Sequence, residues 1–476
     1  MDHKLVVDNK GVTKPFQTIW RSKNFRIRLT LGLLLLLILT SFSNLSTAWN
    51  LEISGTPQNY EVVLSSNGFS PAVLKVSPGS TVTFRSEEGI VFWPASNFHP
   101  THEIVPEFDP RQPIEPGESW SFTFSEPGTW RYHDHLKPDV TGAITVQATL
   151  LGRLFGWSDP CRSEVVRSDN RSQKIRCWQK EIEATLQKEG LDQAFQVFAK
   201  LYRTEPGFPS TCHDMTHLLG EAAYQEFISQ SKIQTSDHTV NCSYGFYHGF
   251  IEAMLHSGQG YEKVISYCRL VQDELSKTIT SPSAYTRCFH GIGHGIFDTL
   301  PAKDWGDEEQ MVTNSLAVCE LLDEDDPALL FSCSKGVFNA LTNAYAFENY
   351  GLAANPVDPF YLCRKQRTET YRRACHVDIG LHFISTKNLN LPEAAEFIRQ
   401  NVAEESSRAE LLLAQISQEI QDNAAAGLEL PLLISTCQEF SGLTRQKCFR
   451  GIIEGIFISG LPGSEYQEGL RLCQDP

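Results

Sequence analysis

"GTWRYHDHLKPDVTGAITV", residues 128–146, reads as a strand, a short loop and a second strand, with two histidines flanking an aspartate at the end of the first. Upstream, "YEVVL", "AVLKV", "TVTF" and "SWSFTF" are further short runs rich in β-branched and aromatic residues. "SPGS", "EPGE" and "EPGT" punctuate them as turns. Strands this short at this spacing predict an all-β sandwich over residues 51–148. Side chains two apart on a strand face the same way, so His133 and His135 share one side of it and Asp134 takes the other. The segment "NFHPTHE" adds His99 and His102.

Together with "GFSPAVLKVSPGSTVTF" (68–84), the opening stretch resembles the cupredoxin family. An early strand leads to a Pro-Gly turn, and a Pro-Gly-x-aromatic-x-aromatic strand is followed by a loop and a Gly before the last strand. The resemblance implies a cupredoxin-like sandwich with a copper site. A blue-copper member would place Cys two residues after the second aromatic, then His, then Met two residues before the Gly. Here those positions hold Asp134, Lys137 and Val140. A thiolate-bound blue site is therefore excluded, because no Cys precedes Cys161. His133 and His135 are similar to the histidines of the His-Cys-His triplet of multicopper oxidases, with the central Cys lost. The candidate metal ligands are His99, His102, His133 and His135. Four imidazoles suit copper, or zinc as the alternative, and copper is favoured by the resemblance. Asp134, Glu103 and Asp139 are candidates to orient the ligands or to add one. If Asp134 points inward like the family's Cys, His133 and His135 point outward, and their site is either shallow or completed by the rest of the chain.

After a linker at residues 149–160, around "LLGRLFGWSDP", the texture changes. Patterns such as "CWQKEIEATLQKEGLDQAFQVFAKLY" carry apolar residues at three- and four-residue intervals and predict helices over residues 161–476. This part repeats: "CSYGFYHG" from Cys242, "CFHGIGHG" from Cys288, "CSKGVFNA" from Cys333 and "CFRGIIEG" from Cys448, with "CHVDIGLH" from Cys375 a degenerate copy. The repeat length fits a two-helix hairpin with its loops and predicts an α-helical repeat, either a solenoid or an α/α toroid. The Cys and the small residues three and seven later share one helix face, which lets neighbouring helices approach closely. "GFYHG" and "GIGHG" resemble, faintly, the Gly-x-x-His-Gly motif of lanthionine-cyclase-type toroids. Candidate polar residues of this part are His213, His217, His248, His294 and His382. His213 and His217, four apart, can share a metal on one helix face; the alternative is that such polar positions pin the helices by hydrogen bonds.

All 13 cysteines follow residue 160. Neighbour pairing is expected for Cys161 with Cys177, Cys212 with Cys242, Cys268 with Cys288, Cys319 with Cys333, Cys363 with Cys375 and Cys437 with Cys448, leaving Cys473 over; spacing alone does not fix connectivity. Disulfides place the chain in an oxidising compartment. Residues 1–28 carry seven Lys/Arg and precede the apolar run from Leu29, so residues 29–48 read as a signal peptide or a signal-anchor helix, with residues 1–28 a basic cytoplasmic segment. Either reading puts the remainder outside the cytoplasm, periplasmic or at the cell surface, secreted or held by one N-terminal transmembrane helix. The full chain has a formal net charge of −16, and setting the basic leader aside makes it more acidic, which argues against nucleic acid as a partner.

Three functional readings follow. The first is an exported or membrane-anchored metal-binding protein, with a non-blue copper in the cupredoxin-like module and a helical part that binds a protein partner or acts as scaffold. The second is a metal-dependent redox enzyme with its substrate cavity in the helical part. The third is a structural surface protein without metal.

Overall fold

A computed structural model describes residues 56–147 except 88, 98–101 and 103, then Cys161, and residues 171–459 except 206, 209–210, 231–238, 240, 279–283, 323–325 and 424–428. Residues 1–55, with the expected signal or anchor, lie outside it, as do Cys473 and the whole linker at residues 149–160. Among the described residues no helix is long and apolar enough to cross a membrane.

A β-sheet region precedes a mostly helical one. Eight strands among the described residues, β1 (Asn59–Ser65), β2 (Gly68–Ser70), β3 (Val73–Val76), β4 (Ser80–Ser86), β5 (Pro94–Ser96), β6 (Ser119–Phe124), β7 (Gly128–Asp134) and β8 (Lys137–Val146), form two four-stranded sheets. Their orders are β2-β1-β4-β6 and β3-β8-β7-β5. β1 runs parallel to β4 and β3 parallel to β8, while β7 pairs antiparallel with β8 and with β5. Alternation along β7 sends Trp130 and Tyr132 inward, where Tyr132 meets Phe69, Phe84 and Phe108 at ring distances of 4.8–5.6 Å. Opposite Tyr132 in the ladder stands Gly142, where a Cβ would fall 2.3 Å from the tyrosine ring. The aromatic therefore dictates that glycine. The β7–β8 register breaks between His133 and Asp134, an irregularity of the kind that re-aims side chains at the end of a ladder.

Among the described residues fourteen α-helices follow: α1 (Arg171–Glu189), α2 (Leu191–Thr204), α3 (Cys212–Gln230), α4 (Asn241–His256), α5 (Tyr261–Thr278), α6 (Ala284–Asp298), α7 (Glu308–Leu322), α8 (Pro327–Phe347), α9 (Tyr361–Arg364), α10 (Glu369–Thr386), α11 (Leu391–Asn401), α12 (Glu405–Asn423), α13 (Leu430–Gln438) and α14 (Gly442–Ser459). One row runs α3, α4, α6, α8, α10, α12, α14, each packed on the next, and α14 in turn touches α4. The intervening helices α5, α7, α9 and α13 each bear one half of a disulfide to the row helix that follows: Cys268–Cys288, Cys319–Cys333, Cys363–Cys375 and Cys437–Cys448. Cys212–Cys242 ties α3 to α4, and Cys161–Cys177 anchors α1. Thus the neighbour pairs in sequence are the bonded pairs. Closing loops of this length stabilises each hairpin by about 2–4 kcal/mol on a chain-entropy estimate.

Glycine makes the row possible. A Cβ on Gly245 would lie 2.6 Å from the His213 carbonyl oxygen, one on Gly249 2.2 Å from that of His217, and one on Gly336 2.0 Å from that of His290. These are the glycines three and seven residues after the repeat Cys, and each faces the backbone of the preceding row helix. Gly336→Val is expected to lower stability by ~1–3 kcal/mol or more, since backbone cannot yield to the added atoms. Gly260→Ala, where a Cβ meets nothing within 4 Å, is expected to change it little; thermal unfolding of the two variants beside wild type checks both.

Candidate metal centre

His133 and His135 leave β7 on its outward side. Thr129 and Arg131 on that side are exposed, yet His133 and His135 are only 3% and 1% exposed. The helical region covers them: Tyr350, which follows α8, places its hydroxyl 3.4 Å from His135 Nε2. On its other side the His135 ring lies tilted against Trp93 at 4.3 Å, and Tyr350 meets the Trp93 ring edge-on at 5.2 Å. A shallow site is thereby ruled out, and the cover comes from 215 residues further along the chain.

His102 joins them from the loop after β5. Its backbone sits at φ +53°, in the left-handed region that histidine visits more readily than β-branched residues. Its Nε2 lies 3.0 Å from His135 Nδ1. Its Nδ1 lies 2.6 Å from Asp109 Oδ2, while Asp109 Oδ1 accepts from the Trp93 indole N–H at 2.7 Å and the Arg111 backbone N–H at 2.7 Å. Burial would raise the Asp109 pKa, but His102 and these donors outweigh it and hold the carboxyl below its usual range. An ionised Asp109 fixes the His102 proton on Nδ1 and leaves the Nε2 lone pair facing His135. His133 Nδ1 stands 3.4 Å from Asn97 Oδ1. One ring nitrogen from each of His102, His133 and His135 lies within 4.8 Å of the others, all three residues buried.

Asp134 points inward, and its Oδ1 accepts from the backbone N–H groups of Trp93 (2.8 Å) and Leu136 (3.3 Å). It holds the turn in shape, whereas the carboxylate that orients the His102 ring is Asp109. His99 and Glu103 lie outside the described residues, as does the side chain of Asp139.

In the helical region His213 and His217 on α3 bring their Nε2 atoms to 3.1 Å, and His248 Nδ1 on α4 approaches His213 Nε2 at 3.3 Å. This is a second trio whose ligand atoms lie within 4.8 Å of one another. His294 continues the cluster on α6 together with His290, at 3.1 Å between Nε2 atoms. Burial pushes His213 down to about 3 and His217 to about 4, and depresses His248 and His290 as well, so these rings are neutral at ordinary pH. His382 stands apart, its ring 5.9 Å from that of Tyr345. Asp298 lies under the influence of both clusters: burial raises its pKa against the pull of His256, His294 and His102.

A cavity of about 410 Å³ separates the β-sheet region from α1, α3 and α4. Its walls include Asn97, the partner of His133, and Glu252, the partner of His217. His290 stands out in the sequence as a histidine close to a repeat copy, whereas Asp109, Asn97, Tyr350 and Glu252 are the residues of these clusters that sequence reasoning missed. For Glu252 a signal existed, since it stands four residues from His248; for Asp109, Asn97 and Tyr350 none did.

No family model matches the chain, and no curated protein matches it. Among solved structures, a purple cupredoxin from Nitrosopumilus maritimus is similar at 20% identity with a TM-score of 0.17, over 18% of this chain and 99% of that one. A pseudoazurin from Sinorhizobium meliltoi is similar at 20% identity and a TM-score of 0.15, over 28% of this chain and 98% of that one. A copper-containing nitrite reductase from Thermus scotoductus is similar at 23% identity and a TM-score of 0.17, over 22% of this chain and 25% of that one.

Glu221, on the cavity wall, supplies a pH test. Burial, with Glu252 and Glu183 nearby, pushes its carboxyl up to about 8. The folded chain keeps a proton that the unfolded chain releases in the ordinary glutamate range, so this group makes stability fall as pH rises toward about 8. Glu221→Gln removes the titration and is expected to flatten the decline of melting temperature between about pH 5 and pH 8; an unchanged pH profile would contradict this.

Proposed function

We propose that the protein binds a non-blue copper ion outside the cytoplasm, through His102, His133 and His135, with His99 a further ligand from the same loop. The observation that carries this reading is the buried convergence of the three imidazoles, one of them oriented by the carboxylate of Asp109. The donor set fits the ion. Neutral nitrogen ligands, a hydrogen-bonded carboxylate behind one of them and an apolar wall of Trp93 suit Cu(II), with Zn(II) accommodated by the same set. When bound, copper would supply redox or Lewis-acid chemistry at this place; the chain's own residues hold the rings, and Trp93 and Tyr350 limit the approach of water.

The β module at residues 51–148 carries the site, and the helical domain at residues 161–476 closes it and offers a surface for a protein partner. Six disulfides fit an oxidising compartment, with residues 29–48 as signal peptide or anchor. A second reading, a metal-dependent redox enzyme, is favoured by the cavity of about 410 Å³, which reaches the partners of both histidine clusters. A substrate there would lie among Arg131, Glu183, Glu221 and Glu252.

The copper reading predicts that His133→Ala/His135→Ala weakens Cu(II) binding at this site tenfold or more. Asp109→Asn is expected to weaken it less than that double change, by roughly tenfold, because it orients a ligand without being one. The copper-loaded protein is expected to lack the intense thiolate charge-transfer band of blue sites. Unaltered copper affinity in the double variant, measured by competition with a chelator, would sink the assignment.

A further inference from the structure

The histidines of the helical region converge ring nitrogen on ring nitrogen, and His213, His217 and His248 bring one such atom each within 4.8 Å of the others. His213 Nδ1 lies 2.8 Å from the Cys242 carbonyl oxygen, an acceptor only, so the ring's proton is on Nδ1 and its Nε2 carries a lone pair. His217 Nδ1 stands 3.2 Å from Glu252 Oε2. The Nε2 atoms of His213 and His217 lie 3.1 Å apart inside the protein, close enough to share a proton or a metal ion. His248 Nδ1 aims at the same point, 3.3 Å from His213 Nε2, while its own Nε2 is buried without a hydrogen-bond partner among the described residues.

The arrangement recurs one helix along. His294 Nδ1 stands 3.7 Å from Glu252 Oε1, and its Nε2 lies 3.1 Å from His290 Nε2. Glu252, 1% exposed, therefore faces the back of two histidine pairs with its two oxygens. His213/His217 on α3, His248/Glu252 on α4 and His290/His294 on α6 are all spaced four apart, so three neighbouring helices each present a pair on one face. The glycines of the row bring those helices close enough for the pairs to meet.

We infer that the helical region holds a metal centre of its own, with two positions for first-row transition ions sharing Glu252 as the carboxylate behind their ligands. The first position takes His213 Nε2, His217 Nε2 and His248 Nδ1. The second takes His290 and His294 through Nε2 and has the more open coordination. An all-imidazole set selects copper or zinc over magnesium or calcium, which prefer oxygen. The centre is independent of the copper site under the β-sheet region, and the cavity wall formed by Glu252 provides an approach to it.

The test counts ions in the full-length, disulfide-intact protein, stripped with a chelator and titrated with Cu(II) or Zn(II). In a His102→Ala/His133→Ala/His135→Ala background, two ions per chain are expected. Adding His213→Ala/His217→Ala, or instead His290→Ala/His294→Ala, is expected to leave one, and Glu252→Gln to weaken binding by roughly tenfold or more. A background that binds no ion overturns the centre, and one that binds a single ion overturns the second position. Should the paired variants not fold, the background protein still decides: X-ray absorption at the metal edge is expected to show imidazole ligation, and its absence overturns the inference. Failure of the copper site alone would lower the wild-type count without touching the background count.

Discussion

Covering the outward side of β7 is the constraint on which the rest depends. A strand of an antiparallel sandwich ordinarily keeps one face wet, and polar residues such as Thr129 and Arg131 fit that expectation. At His133 and His135 the same face is dry because Tyr350 and its surroundings lie over it. Charged and aromatic contacts hold the cover nearby: Arg131 to Glu183 at 3.1 Å, Arg111 to Glu348 at 2.7 Å, and Arg176 over the Trp130 ring at 4.8 Å. The exposed Arg111–Glu348 pair contributes little energy, typically about 0–1 kcal/mol, and serves mainly as register. The aromatic contacts of Trp93, His135 and Tyr350 cover the imidazoles and keep solvent from them.

Much of this was legible in the sequence, and the part that was not has a common cause. Alternation in "GTWRYHDH" placed Tyr132 and Asp134 on one side and the two histidines on the other, because strand periodicity is a local property. The Cys–Gly–small pattern identified the helices that pack most closely, and neighbouring cysteines in sequence are bonded because each hairpin is local as well. Asp109, Asn97 and Tyr350 left no comparable trace. Their roles arise from pairings across distant segments, and no period links residue 135 to residue 350. Asp134 was legible in direction but not in purpose: its oxygens serve backbone N–H groups, a role that depends on where β5 begins.

The helical row shows how a small residue can have a chemical consequence. Each glycine removes a side chain from the seam between two helices and lets a backbone carbonyl take its place. Helix axes drawn together in this way bring side chains one turn apart on neighbouring helices into contact, so that His213, His217 and His248 meet. The disulfide between Cys212 and Cys242 sits at the end of that seam, and the Cys242 carbonyl is the group that fixes the proton of His213. Packing, cross-link and histidine orientation are therefore settled by the same few residues.

The distance along the chain between His135 and Tyr350 has a temporal meaning as well. A ribosome builds from the N-terminus, so both sheets and all three of their described histidines exist long before the tyrosine that seals them. A sandwich that folds as it is made would present His133 and His135 uncovered until residue 350 joins the chain, so the order of synthesis sets when these rings can be sealed.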